Sequence, residues 1–205
     1  DLCRLLDHLE VPEAHLVGLS MGGRVALDFY GHYPDRVRSL TLADTSANSA
    51  DAVDPDKVRE FLDLRLAPLR DGKEPADIAA DVAESLICDS TPPAIRAELE
   101  QCLGALHKES YMKTLSCVTQ YSDFPAFSDV AVPTLVIAGD KDRIAKPAMV
   151  ESMAQALPDS RLVWLSPAGH VSNLEQPEQF NKALLSFLRD VEARTPELDP
   201  RGYAS

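Results

Sequence analysis

The chain has 205 residues, 45% hydrophobic and 26% charged, with a net charge of −13. That is enough for one domain with a real core and a small appendage, and the composition is that of a globular protein rather than a disordered one. The acidity excludes nucleic acid and anionic membrane surfaces as partners, since phosphate would be repelled and no basic stripe offsets it; no apolar run approaches the ~18 residues of a bilayer span.

Leu2, Leu5, Leu6 and Leu9 recur at helical spacing and predict an amphipathic helix over 2–9, broken at Val11-Pro12. His15-Leu16-Val17-Gly18-Leu19 is a short apolar run, a buried strand. Ser20-Met21-Gly22-Gly23 reads as a sharp turn. A helix over 24–33 follows, with Val25, Ala26 and Phe29 on its inner face and Pro34 as its stop. Residues 37–43 form a second strand. Strand, helix and strand in tight succession make a βαβ unit, so the sheet is expected to be parallel.

From Asp44 to about Tyr121 the pattern holds no strand. Helical periodicity runs over 56–69, 76–88, 93–107 and 109–120, punctuated by Asp71-Gly72 and Thr91-Pro92-Pro93. The sheet resumes with a continuous apolar strand over 132–138. A helix over 148–157 ends at Pro158, and a last strand covers 161–165. After the loop Ser166-Pro167-Ala168-Gly169, a closing helix over 178–191 turns Phe180, Leu184, Leu185, Phe187 and Leu188 inward. The expected fold is α/β: a parallel sheet of about four strands with a helical insertion. Its parts are a core over 1–45, the insertion over 46–125, the core again over 126–194 and a flexible tail over 195–205.

Cys3, Cys88, Cys102 and Cys117 are scattered, without C-x-x-C or a paired histidine spacing. That pattern is neither a zinc site nor a disulfide framework. All four read as buried small hydrophobes in a reducing, cytoplasmic setting.

Gly18-Leu19-Ser20-Met21-Gly22 matches G-x-S-x-G and lies between a predicted strand and a predicted helix, the context of a nucleophile elbow. There the serine is held in a strained conformation that projects its Oγ above the sheet edge. Strand and helix converge so closely that a Cβ at Gly18 or Gly22 is expected to collide. The Met21 N–H, at the helix N-terminus, is placed to donate to an oxyanion, and one such donor is worth ~10²–10³ in rate. A serine nucleophile needs a base and an orienting acid, supplied in chain order Ser, Asp or Glu, His from loops after later strands. His170 follows the last strand. His8, His15, His32 and His107 do not, and read as structural. Asp140, Asp142 and Asp44 compete for the acid. Asp140 suits a turn cap, and Asp142, one step further beyond the strand, can reach over toward the imidazole.

These residues resemble the α/β-hydrolase family, in its branch of small-molecule esterases and lactonases. The likeness rests on Gly18-Leu19-Ser20-Met21-Gly22-Gly23, on Tyr33-Pro34-Asp35-Arg36-Val37, on Pro133 to Asp142, and on Ala168-Gly169-His170-Val171-Ser172-Asn173-Leu174-Glu175-Gln176-Pro177. It covers nearly all the sheet-forming sequence. The family's G-x-x-D maps onto Gly139 and Asp142 and places the acid at Asp142. The final motif is similar to that of 3-oxoadipate enol-lactonases. The resemblance implies a Ser20–His170–Asp142 triad, a cap formed by the helical insertion, a small-molecule ester or lactone substrate, and neither metal nor organic cofactor. A cofactor-free haloperoxidase, a carbon–carbon bond hydrolase, a ligand receptor of the same fold and an inactive fragment are the alternatives. Family members begin with further strands and a loop that supplies a second oxyanion donor. This sequence starts at the helix before the elbow strand, so it reads as a fragment or a truncated relative. The sheet edge left open is expected to favour self-association.

Overall fold

Parallel pairing organises the sheet of the computed structural model, which describes residues 1–46, 55–120 and 124–194. The strands are β1 (Ala14–Leu19), β2 (Val37–Ala43), β3 (Thr134–Gly139) and β4 (Ser160–Leu165), in the order β1-β2-β3-β4. Each pair is parallel. Helix α1 (Leu2–His8) precedes β1, α2 (Met21–His32) connects β1 to β2, and α7 (Pro147–Ala156) connects β3 to β4. Between β2 and β3 lie α3 (Pro55–Arg70), α4 (Pro75–Leu86), α5 (Pro93–Gly104) and α6 (Lys108–Gln120). A single turn, α8 (Ser172–Glu175), and the long α9 (Pro177–Arg194) complete the described chain. The tail expected over 195–205 lies outside the described residues.

Period-two alternation along the strands sends side chains to opposite faces. On one face Leu40, Leu42, Val136 and Ala138 pack with Leu6 of α1, with Ala26, Phe29 and Tyr30 of α2, and with Val150 and Met153 of α7. On the other, Leu135 and Ile137 pack with Phe180, Ala183, Phe187 and Val191 of α9. Every residue of β3 is buried, as a central parallel strand covered on both faces requires. Burying one such large apolar side chain contributes ~1.5–3 kcal/mol, so the two phenylalanines of α9 weigh heavily in holding that helix down.

Several expectations need correction. Val25 is half exposed, because the buried stripe of α2 runs through Gly23, Ala26 and Tyr30 and Val25 falls about a third of a turn away. Leu185 is likewise half exposed, opposite the stripe of Phe180, Ala183, Phe187 and Val191. Only Cys88 is buried; Cys3 is intermediate, and Cys102 and Cys117 lie on the outward faces of their helices. All four are free thiols. The expected turn at Ser20 to Gly23 is one residue wide, with α2 beginning at Met21. Between the loop after β4 and α9, the short α8 forms where no helix is predicted.

The register aligns the carboxyl ends of the strands. Leu19 pairs with Ala43, Ala43 with Ile137, and Gly139 with Leu165. Ser20, Asp44, the 140–142 loop and the 166–170 loop therefore emerge along one edge of the sheet. Among the described residues β1 pairs with β2 alone, and its Val17 is half exposed.

Candidate active site

Ser20 sits between β1 and α2 at φ 52° and ψ −114°. Non-glycine residues at positive φ are uncommon and carry strain that the surroundings must hold. The Ser20 N–H donates to the Ala43 carbonyl at 2.8 Å, and the Ser20 carbonyl accepts from the Gly23 and Arg24 N–H groups at 3.0 and 3.4 Å. Sheet and helix thus grip the same residue. Met21, as the first residue of α2, has no carbonyl one turn back within the helix to receive its N–H.

The glycines around Ser20 differ in what they provide. A Cβ on Gly18 would run into the Gly22 carbonyl and the Gly23 nitrogen at 2.5 Å. A Cβ on Gly23 would meet Thr45 Cγ2 at 2.5 Å. At Gly22 nothing stands within 4 Å, so the collision expected there is absent: it is Gly22's backbone, not its missing side chain, that packs on Gly18. Gly18→Ala should therefore cost about 3 kcal/mol or more, as overpacking against rigid backbone does. Gly22→Ala should leave stability within about 1 kcal/mol of wild type. Urea denaturation of the two variants measures this difference, and equal losses would contradict it.

Three loops converge on Ser20. His170 Nε2 lies 2.7 Å from Ser20 Oγ, and His170 Nδ1 lies 2.8 Å from Asp142 Oδ2. The other carboxylate oxygen, Oδ1, accepts the Ile144 and Ala145 N–H groups at 2.7 and 3.0 Å. This orients the carboxylate through its own loop. Asp142 is 4% exposed and His170 6%, so their contact is shielded from water. A proton on Nδ1 directed at Asp142 leaves Nε2 as an acceptor for the serine hydroxyl.

The competing carboxylates have other partners. Asp140 accepts the Ser166 hydroxyl at 3.0 Å and the Ala168 N–H at 3.2 Å, and pairs with Lys141 at 3.1 Å. Partial burial works against its ionisation, but Lys141, Ser166 and Ala168 together hold its carboxyl below the ordinary carboxylate range. It stitches the loop after β3 to the loop after β4. Asp44, fully buried at φ 45°, accepts Gly139 N–H at 3.0 Å, Ser172 N–H at 2.9 Å and Ser172 Oγ–H at 2.7 Å. Burial pushes its carboxyl up to about 6, against the pull of the Ser172 and Gly139 donors and of nearby His170. Asp44 is thus a strut joining the end of β2 to the loops that carry Asp142 and His170. Its position after a strand marked it as a candidate acid, but nothing local in the sequence pairs it with Ser172.

The remaining histidines serve elsewhere. His15 contacts Ser39 and Glu192, both at 2.7 Å; His32 contacts the Asp28 carbonyl at 2.9 Å; His107 contacts Ser110 at 3.0 Å. His8 closes the last turn of α1, at the other end of the chain from His170.

Comparison with known proteins agrees with the fold. The family model described as alpha/beta hydrolase fold matches residues 1–177. A 3-oxoadipate enol-lactonase of Acinetobacter baylyi is 30% identical over 193 residues, covering 92% of this chain and 68% of that protein. A 2-hydroxy-6-oxononadienedioate/2-hydroxy-6-oxononatrienedioate hydrolase of Burkholderia vietnamiensis is 31% identical over 196 residues, covering 92% and 66%. Among solved structures, a thermophilic esterase from Thermogutta terrifontis superposes with a TM-score of 0.80 at 32% identity, covering 93% of this chain and 70% of that one. Sheet order, elbow and sequence likeness agree: the chain belongs to the alpha/beta hydrolase fold family, in its esterase and lactonase branch.

Proposed function

We propose that the chain is a serine hydrolase that cleaves a carboxylic ester or lactone of a small molecule through Ser20, His170 and Asp142. The observation that carries the reading is the continuous hydrogen-bonded chain from Ser20 Oγ through the imidazole to the buried Asp142 carboxylate. His170 Nε2 accepts the Ser20 proton as Oγ attacks the carbonyl carbon. Asp142 keeps the imidazole in the correct tautomer and stabilises the imidazolium that forms. The carbonyl oxygen becomes an oxyanion, which the Met21 N–H faces from the start of α2. His170 then returns its proton to the leaving alkoxide oxygen. Water, activated by the same imidazole, releases the acid and restores Ser20.

Residues 46–125 act in this reading as the cap over the substrate. Four free thiols suit a reducing, cytoplasmic compartment. Carbon–carbon bond hydrolysis is the second reading, favoured by the 31% identical hydrolase of Burkholderia vietnamiensis. A panel of p-nitrophenyl esters, simple lactones and 1,3-diketones separates the two. The expected result is multiple turnover of an ester or lactone. Turnover of the diketone alone would replace it with the second reading, and a single turnover that leaves a stalled acyl-serine would identify a receptor instead.

A further inference from the structure

Glu175 closes α8, and its carboxylate bridges two distant parts of the chain. Oε2 accepts the Gly169 N–H at 2.6 Å. Oε1 accepts the Cys88 N–H at 2.8 Å and the Thr91 hydroxyl at 2.5 Å. Gly169 immediately precedes His170, whereas Cys88 and Thr91 lie in the turn between α4 and α5. Both oxygens accept from donors that point inward, an arrangement suited to the ionised carboxylate.

The surrounding contacts are equally close. The His170 N–H donates to the Leu86 carbonyl, the last residue of α4, at 2.7 Å. Gly169 is pressed against the same segment: a Cβ there would lie 2.7 Å from the Leu86 carbonyl oxygen and 2.9 Å from the Cys88 nitrogen. Ala83, Ile87 and Leu99 of the insertion bury Val171, the residue after His170. From the loop that bears Asp142, Arg143 reaches Asp89 in the same turn at 2.6 Å.

We infer that Glu175 is a positioning residue that latches the α4–α5 turn onto the loop carrying His170, so that one carboxylate sets the seat of the helical insertion and of the imidazole together. It touches no reacting atom and acts on His170 through the Gly169 backbone. The insertion cannot lift away from the sheet without pulling on the His170 backbone. The link from this latch to turnover rests on the proposed role of Ser20 and His170; the latch itself does not.

The test uses Glu175→Gln, which places an amide NH₂ against inward-pointing donors, and Thr91→Val, which removes one donor without changing charge. Hydrogen exchange is followed at 86–92 and 168–172, alongside the rate at which a fluorophosphonate labels the protein and the kcat and KM for the best ester. The expected result for Glu175→Gln is faster exchange in both segments together. Labelling rate and kcat should fall roughly 10- to 100-fold, as a displacement of about 1 Å at a catalytic group produces, with KM within about twofold. Thr91→Val should show the same pattern, smaller. Exchange that rises in one segment only, or unchanged labelling and kcat despite faster exchange in both, would overturn the inference. If wild-type protein takes no fluorophosphonate label, the reading of Ser20 has failed, and the exchange experiment still decides whether the latch exists.

Discussion

Ser20→Ala should abolish labelling by a fluorophosphonate probe and lower ester turnover by about 10⁴-fold or more. The expectation follows from position as much as from residue type. Ser20 stands at a strained φ of 52°, gripped by the Ala43 carbonyl on one side and the first turn of α2 on the other, with Oγ 2.7 Å from His170 Nε2. Alanine removes the attacking oxygen and leaves those backbone bonds in place, so the variant should fold. Comparing far-ultraviolet circular dichroism with labelling separates lost chemistry from lost structure. Labelling that survives in a folded Ser20→Ala protein would mean that another residue is the nucleophile.

The second large effect distinguishes two aspartates separated by one residue. Asp142→Asn should cut kcat by about 10³–10⁴-fold, because an amide opposite Nδ1 can present its NH₂ and favour the tautomer that cannot accept the serine proton. Asp140→Asn keeps an oxygen for Ser166 or Ala168 and does not meet the imidazole, so turnover should fall by less than about tenfold. The loss at Asp142 should appear in kcat with KM little changed, since substrate binding does not use the acid. Equal losses at the two positions would contradict the assignment of Asp142. The stitch made by Asp140 predicts a different signature, a lower melting temperature with activity retained below it.

Much of this architecture was legible before any coordinates. Apolar runs of strand length alternating with amphipathic helices place the four strands and eight helices, α1 to α7 and α9, in order, because periodicity is a local property of burial. The elbow is local too. G-x-S-x-G between strand and helix marks Ser20 without knowledge of the sheet, the order serine, aspartate, histidine follows from strand ends that can be counted along the chain, and the resemblance of Gly139 to Asp142 to the family's G-x-x-D singles out Asp142. Local pattern misjudged Val25, which lies beside the buried stripe of α2 without being on it, and Leu185, which lies across α9 from its buried stripe. It misjudged Gly22 because a glycine signals tolerance of close approach without saying which atom approaches.

What remained hidden involves contacts across long separations. Asp44 meets Ser172 128 positions away, and Glu175 meets Cys88 87 positions away. No spacing rule encodes such pairs, since they exist only once strand order and register bring the loops to one edge of the sheet. Ser20 marks the difference. Residue types and periods along the chain determined that it is a serine on a tight strand-to-helix turn with an aspartate and a histidine downstream. Only the tertiary structure puts His170 2.7 Å from its Oγ and the Asp142 carboxylate, already expected there, 2.8 Å behind the imidazole, with Asp140 and Asp44 held by other partners. The physical reason is that strand and helix formation obey neighbours a few residues apart, whereas a hydrogen-bonded chain across three loops depends on the alignment of the whole sheet.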